Sequence, residues 1–375
     1  MNEDVLGRLE SMVKVISAGD LAPLRDVTDC KEHVNKVWDM FKESDIGIVN
    51  LEMPLTHSNE KTDKAINFKA GPKIAYSLSE AGIDVVSFAN NHAYDYGAKG
   101  LMDTIDSLNE ANVAVVGAGE TITEAFKPVI QYKDGLKIAH IGICSALPTG
   151  FAANDDKPGV APVRARSRFY IDSVTLDEQP GMSPWVETSV VEDDLNDACK
   201  KIEAIKIDVD VIIAQVHWGV PNGWCAQFQG PLADYQQPMA HRLIDAGVDI
   251  IMGHHPHVVH GVEKYNDGVI AYSLGNFLFH SMSDDHETTL TTKYPPYNVD
   301  SLETGEAREA VVMETTIKQG KITDIRFYPT VLNNKGEPEF LEGEGAIAVL
   351  KRMQKQSHDL HCDLVIDGIV GKMII

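Results

Sequence analysis

The stretch "SFANNHAYDYG", residues 87–97, decides how this chain is read. An apolar run at 83–89 stops at Asn90 and Asn91, His92 follows at once, and Asp95 stands three residues further on. The run reads as a buried strand. Its polar end reads either as a turn or as side chains delivered to a rim, and the rest of the chain has to choose. Short runs rich in Val and Ile recur at 13–18, 46–51, 85–89, 113–116, 138–144, 209–216, 250–252 and 269–274. Amphipathic helical patterns fall between several of them, at 31–42, 73–81, 98–109, 192–206 and 231–246. Strands alternating with helices predict an α/β architecture with largely parallel central strands. Their unbroken apolar character predicts burial on both faces. The pattern then changes to an antiparallel hairpin, 310–317 and 322–328 about Lys318-Gln319-Gly320-Lys321, and a last helix at 345–356. Two stretches, about 149–189 and 281–309, match no regular element and read as insertions of the kind that cover functional sites.

Composition narrows the function. The chain has 375 residues, 43% hydrophobic and 24% charged, with a formal net charge of -23. That is ample for a large core, in one large α/β domain or two. A field of that sign repels polyanions, which argues against a nucleic-acid partner. An anionic substrate, small or oligomeric, then needs a metal ion or a few placed cations. Five cysteines are scattered singly, with no C-x-x-C pair, so neither a disulfide framework nor a thiolate zinc site is expected. Reduced thiols, no apolar signal segment near residue 1 and no run of 18 apolar residues predict a cytoplasmic protein without a membrane span. Homo-oligomerisation is left open.

The polar residues at the strand ends are the informative ones. The first strand runs into Gly19-Asp20, the second into Asn50 and Glu52, the third into Asn90, Asn91 and His92. The run at 209–216 ends in His217, and that at 250–252 in Gly253-His254-His255-Pro256-His257. Singly, a Gly-Asp turn, a turn asparagine or a core histidine explains each. Three histidines within four positions after a buried strand have no such simple account. In open α/β sheets, ligands bind beyond the carboxyl ends of the strands, so the five ends can converge on one rim. Carboxylate, amide oxygen and imidazole together suit one or two divalent transition metals, Mn, Fe or Zn. Lys69, in "NFKAGP", and Asn276, after another strand, are candidates for contact with a substrate near the rim; a solvated lysine and a turn asparagine are the alternatives. Arg164, Arg166 and Arg168 make a small basic cluster in the first irregular stretch.

In order along the chain, "SAGD", "VNLEMPLT", "FKAGP", "SFANNHAYDYG", "GAG", "VHWG", "GVDIIMGHHPHVV" and "YSLGNFLF" resemble the CapA family, named for a poly-gamma-glutamate capsule synthesis protein. The resemblance covers roughly 14–334 apart from the irregular stretches. That family is similar in fold to the calcineurin-like metallophosphoesterases. The resemblance therefore implies a single domain over 1–375, a four-layered α/β/β/α sandwich with a C-terminal antiparallel hairpin. Carried over, Asp20 would bind a first metal, Glu52 would bridge two, and Asn91 and His217 would bind the second. His257, with His254 or His255, would complete the set. His92 would be the catalytic acid, oriented by Asp95. The implied activity is that of a metal-dependent hydrolase, using metal-activated water on a phosphoester or gamma-glutamyl-type amide. The alternative is a non-hydrolytic metal-binding accessory in polymer synthesis. Two departures stand out. The phosphoesterases carry Asp-x-His after the first strand, whereas Ala22 stands here. Many family members follow His-Trp-Gly with Glu-Tyr, where this chain has Val220-Pro221.

Overall fold

The computed structural model describes residues 11–29, 32–64, 66–181, 184–219, 231–280 and 305–375. In chain order the strands are β1 (Met12–Ala22), β2 (Ile46–Leu51), β3 (Val85–Ser87), β4 (Ala114–Val116), β5 (Ala118–Gly119), β6 (Val129–Lys133) and β7 (Leu136–Cys144). Then come β8 (Gly159–Val160), β9 (Ala165–Tyr170), β10 (Trp185–Val190), β11 (Val211–His217), β12 (Ile250–His254), β13 (Val262–Tyr265), β14 (Gly268–Ala271) and β15 (Asn276–Phe279). The last are β16 (Glu309–Lys318), β17 (Lys321–Leu332), β18 (Pro338–Phe340), β19 (Leu364–Asp367) and β20 (Val370–Met373).

Sixteen of them form two large sheets, while β5 pairs with β8 and β9 with β10 apart from these. The first runs β19-β20-β17-β16-β1-β2-β3-β4, with β15 also on β1 and β18 on β17. Its β1–β4 half is parallel and its β16–β17 half antiparallel. The second runs β13-β14-β12-β11-β7-β6, with β14, β12, β11 and β7 parallel. The two-residue period of a strand explains the packing. Val13 and Val15 of β1 join Ile138, Val211 and Ile213 in a core shared by both sheets. Ile16 and Ala18 face the other way, onto the helices Glu32–Lys42, Ile74–Glu80 and Gly97–Glu110, with Trp38, Leu78 and Leu101. Ile212 and Ala214 likewise leave the shared core to meet Leu195 and Ile202 of the helix Glu192–Lys206 and Met239 of the helix Gln236–Asp245. Both faces of the central strands are thus buried, as their unbroken apolar runs imply.

Several elements differ from the sequence expectation. Strand β1 continues four residues past 18 because β15 pairs with it through Asp20 and Ala22. The approach is close: a Cβ on Gly19 would lie 1.9 Å from the Gly275 carbonyl oxygen. The turn after β16 places Gln319 and Gly320 at φ 53° and 75°, the left-handed pair that suits a two-residue hairpin. The helix Gly343–Asp359 follows it. The first irregular stretch is partly regular. It holds β8, a hairpin of β9 and β10, and the helix Ser173–Glu178. The hairpin stands largely in solvent, with Phe169 69% and Trp185 71% exposed. It buries little of either face, so its sequence lacks the alternation that marks a strand. The second irregular stretch lies mostly outside the described residues, as do Val220 and Pro221. Among the described residues no helix is long and apolar enough to cross a membrane, and Cys144, Cys199 and Cys362 are free thiols.

Candidate metal centre

The carboxyl ends of the parallel strands in both sheets deliver the polar residues. Asp20 lies in β1, in register with Asn50 of β2 and Asn276 of β15. Glu52 follows β2 directly, and Asn90, Asn91 and His92 follow β3. His217 ends β11, between Cys144 of β7 and His254 of β12. His255 and His257 occupy the turn after β12. Within β12, just ahead of that turn, only glycine fits, because a Cβ on Gly253 would lie 2.0 Å from the Tyr272 carbonyl oxygen.

Two trios result. Asp20, Glu52 and His257 each offer one ligand atom, all within 4.8 Å of one another, and so do Glu52, His217 and His255. Glu52 belongs to both. Its Oε1 lies 3.5 Å from His217 Nε2 and 3.8 Å from His257 Nε2. It is 1% exposed, yet neither carboxylate oxygen has a hydrogen-bond partner. A buried unpaired carboxylate is costly. Burial, with the charge of Asp20 added, pushes the Glu52 carboxyl well above its ordinary range. A cation between the trios would remove that cost, and the mixed oxygen and nitrogen donors suit a transition metal. Burial alone would raise Asp20 as well. His254, His257 and Asn50 outweigh it and hold that carboxyl below its ordinary value. Burial, then the neighbouring histidines, keep His217 well below the usual imidazole range, so its ring is neutral and able to ligate.

Buried amides hold the donors in place. Asn276 Oδ1 lies 2.7 Å from His257 Nδ1, while Asn276 Nδ2 donates to the Ala307 carbonyl at 2.9 Å. That pairing puts the His257 proton on Nδ1 and leaves Nε2 facing Glu52. The His255 amide donates to Asp20 Oδ2 at 3.1 Å, with His255 and His257 at φ 98° and 57°. Such left-handed backbone in two histidines is strain that the surroundings must hold. Asn91 Oδ1 lies 2.9 Å from His217 Nε2. Asn50 donates to Asp20 Oδ1 at 2.9 Å, and Asn90 donates to Asn50 Oδ1 at 3.1 Å and accepts from the His92 amide at 3.1 Å. A chain of amides therefore joins the carboxylate end of the site to His92.

His92 Nδ1 lies 2.7 Å from Asp95 Oδ2, and the Phe68 ring stacks on the imidazole at 4.4 Å between centroids. Burial first, then the charge of Lys64, push His92 down to about 4 against the opposing pull of Asp95. The pair is thus a neutral imidazole donating to a carboxylate. Lys64 itself donates to Asp95 Oδ1 at 2.6 Å and to the Asn91 carbonyl at 2.5 Å.

The geometry sorts the sequence candidates. Asp20, Glu52, His217, His255 and His257 fall in the trios. His254 belongs to neither, although its Nδ1 stands 3.3 Å from Asp20 Oδ1. Asn91, His92 and Asp95 lie beside them. Asn276 is held on His257, not turned to open space. Lys69 is tied to the Ser58 carbonyl at 3.0 Å and Asn59 Oδ1 at 2.7 Å, over the Tyr96 ring, so its ammonium is spent within its own loop. Arg164 pairs with Asp194 at 2.6 Å. The cation brought to the rim is Lys64, which sequence reasoning passed over. It sits in "NEKTDK", a charged run with every mark of a solvated loop.

An α/β protein of two sheets, with a carboxylate–histidine cluster where their strands end, is the class this geometry defines. The chain belongs to the bacterial capsule synthesis protein family PGA_cap, whose family model matches residues 10–281. It is 33% identical over 246 residues to the PGA biosynthesis protein CapA of Bacillus subtilis, covering 65% of this chain and 55% of that one. It is 32% identical over 243 residues to the capsule biosynthesis protein CapA of Bacillus anthracis, 64% of this chain and 51% of that one. It is 28% identical over 249 residues to a probable polyglutamine synthesis accessory protein of Mycobacterium tuberculosis, 65% and 57% of the two chains. The chain thus spans about half the length of these relatives.

Proposed function

We propose that this chain is a metal-dependent hydrolase acting on a phosphoester or a gamma-glutamyl-type amide, within capsule or polyglutamate metabolism. The observation that carries the reading is Glu52, buried with two unpartnered oxygens and common to two ligand trios. Asp20, Glu52 and His257 would hold one Mn, Fe or Zn ion, and Glu52, His217 and His255 a second, with Asn91 beside His217. Such ions, when bound, lower the pKa of water and polarise the bond to be cut. The chain's own residues supply the rest. Asp95 holds the His92 proton on Nδ1, so the ring's Nε2 carries the lone pair, which would take a proton from water and then return that proton to the leaving group. Phe68 stacks on one face of that ring and limits water there. We extend the reading to the fold. The three apolar cores, one between the sheets and one on each outer side, support a four-layered metallophosphoesterase-like sandwich in a single domain.

The experiment is metal content by inductively coupled plasma mass spectrometry, on untagged protein purified without added metal. About one to two transition-metal equivalents are expected, lost in Glu52→Gln and in the His217→Ala/His257→Ala double variant. No metal after soaking with Mn, Zn and Fe would sink the hydrolase. A second reading, a non-hydrolytic accessory that keeps the rim for recognition, is favoured by one observation. Ala22 stands where the phosphoesterases carry a ligand histidine, leaving the Asp20 side short of a donor unless His254 serves. Metal-dependent ligand binding without turnover of any phosphoester or gamma-glutamyl peptide would select it.

A further inference from the structure

Lys64 has no place in the ligand trios, yet its ammonium is built into the rim. Its side chain is 20% exposed, and the carboxylate it meets, Asp95, is fully buried. Asp95 Oδ1 accepts from Lys64 at 2.6 Å. Oδ2 accepts from His92 Nδ1 at 2.7 Å and from the Phe68 amide at 2.8 Å. The Asp95 carbonyl accepts from the Thr62 amide at 2.9 Å. Lys64 also donates to the Asn91 carbonyl at 2.5 Å. One ammonium, which also stands 3.1 Å from His92 Nδ1 itself, therefore fixes the backbone of Asn91 and, through the Asp95 carboxylate that receives the His92 proton, the ring of His92. The same cluster ties Thr62, Lys64 and Phe68 to Asp95 and brings the Phe68 ring onto the face of His92. A surface lysine on a mobile loop has none of this. A buried carboxylate with one imidazole and one amide as partners would be under-compensated, and a cation in fixed geometry is what such a group requires.

We infer that Lys64 is a positioning residue for His92, acting through Asp95. The inference rests on the hydrolase reading for its kinetic consequence, and on geometry alone for its structural one. Without the ammonium, Asp95 Oδ1 loses its partner, the carboxylate turns or admits water, and the imidazole loses its fixed hydrogen bond. Asn91 and His92 then sample positions in which they no longer act together.

The test uses the full chain with Lys64→Met and Lys64→Cys. The latter is also alkylated with 2-bromoethylamine, which returns an ammonium at nearly the same reach, and wild type is alkylated in parallel because other cysteines are present. The first readout is the downfield proton resonance of the hydrogen-bonded His92 Nδ1–H, assigned by its loss in His92→Gln. The second is kcat and KM for bis(p-nitrophenyl) phosphate with Mn. The resonance is expected in wild type and in the alkylated protein, and absent in Lys64→Met. The expected kcat of Lys64→Met is about 10- to 100-fold lower, the range seen when groups behind a metal site are removed. KM should change little, and alkylation should restore kcat. A Lys64→Met protein that keeps both the resonance and kcat overturns the inference. If wild type turns over nothing, the hydrolase reading fails, while the resonance still decides on Lys64. Should Lys64→Met fail to fold by circular dichroism, Lys64→Gln, which keeps a donor without the charge, carries the same two readouts.

Discussion

Asn276 shows how much a single buried amide can decide. Its oxygen sets the proton of His257 on Nδ1, and its nitrogen is anchored on the Ala307 carbonyl. Asn276→Leu would leave His257 free to take the other tautomer, whose proton points at Glu52. Mn affinity by titration calorimetry is expected to fall about 10- to 100-fold, with little change in fold; an unchanged Kd would show that His257 needs no such guide. The same residue marks a limit of sequence reading. "SLGNF" placed an asparagine at a strand end, but a ligand, a turn residue and a group behind a ligand all have that signature. Lys64 is the converse case. Its partners lie 27 and 31 residues away, and nothing local separates it from the exposed lysines around it.

At the scale of elements, the parallel strands and most helices were legible because both depend on period. Val and Ile packed on two faces have few readings other than a central strand. The β9–β10 hairpin was not legible, since exposed strands carry no burial pattern. Nor was the extension of β1 past residue 18, which depends on a partner strand, β15, more than 250 residues later in the chain. The central strands also hide a polar residue with a measurable consequence. His140, in mid-β7, is fully buried and neither ring nitrogen has a partner; burial pushes its pKa down to about 3. The unfolded chain takes up that proton near pH 6.5, and the folded one does so only near 3. Stability linked to His140 is therefore complete above pH 6.5 and is lost as pH falls toward 3, about 2–3 kcal/mol between pH 6.5 and 4.5. Thermal unfolding of His140→Leu is expected to fall off less steeply than wild type over that window. Parallel acid limbs for the two proteins would refute the assignment.

For the whole molecule, charge and site pull in opposite directions. A chain of net charge -23 repels an anionic substrate at a distance, while the proposed metals would attract it at contact. Raising salt from about 0.01 M to about 0.15 M shortens the screening length from about 30 Å to about 8 Å. KM for an anionic substrate is therefore expected to fall over that range, the reverse of a basic enzyme. A KM that rises with salt would place compensating cations near the rim. Topology adds a condition in time. Asp20 is paired with Asn276, and Ser17 with Met313. During synthesis the first strand leaves the ribosome roughly 12–50 s before the segment that completes its side of the rim, about 250 residues later at 5–20 residues per second. Until then β1 has an open edge and Asp20 has no His255 amide to hold. Nascent chains stalled before residue 276 should be unable to retain a metal at that carboxylate, and exposed to pairing with the wrong neighbour.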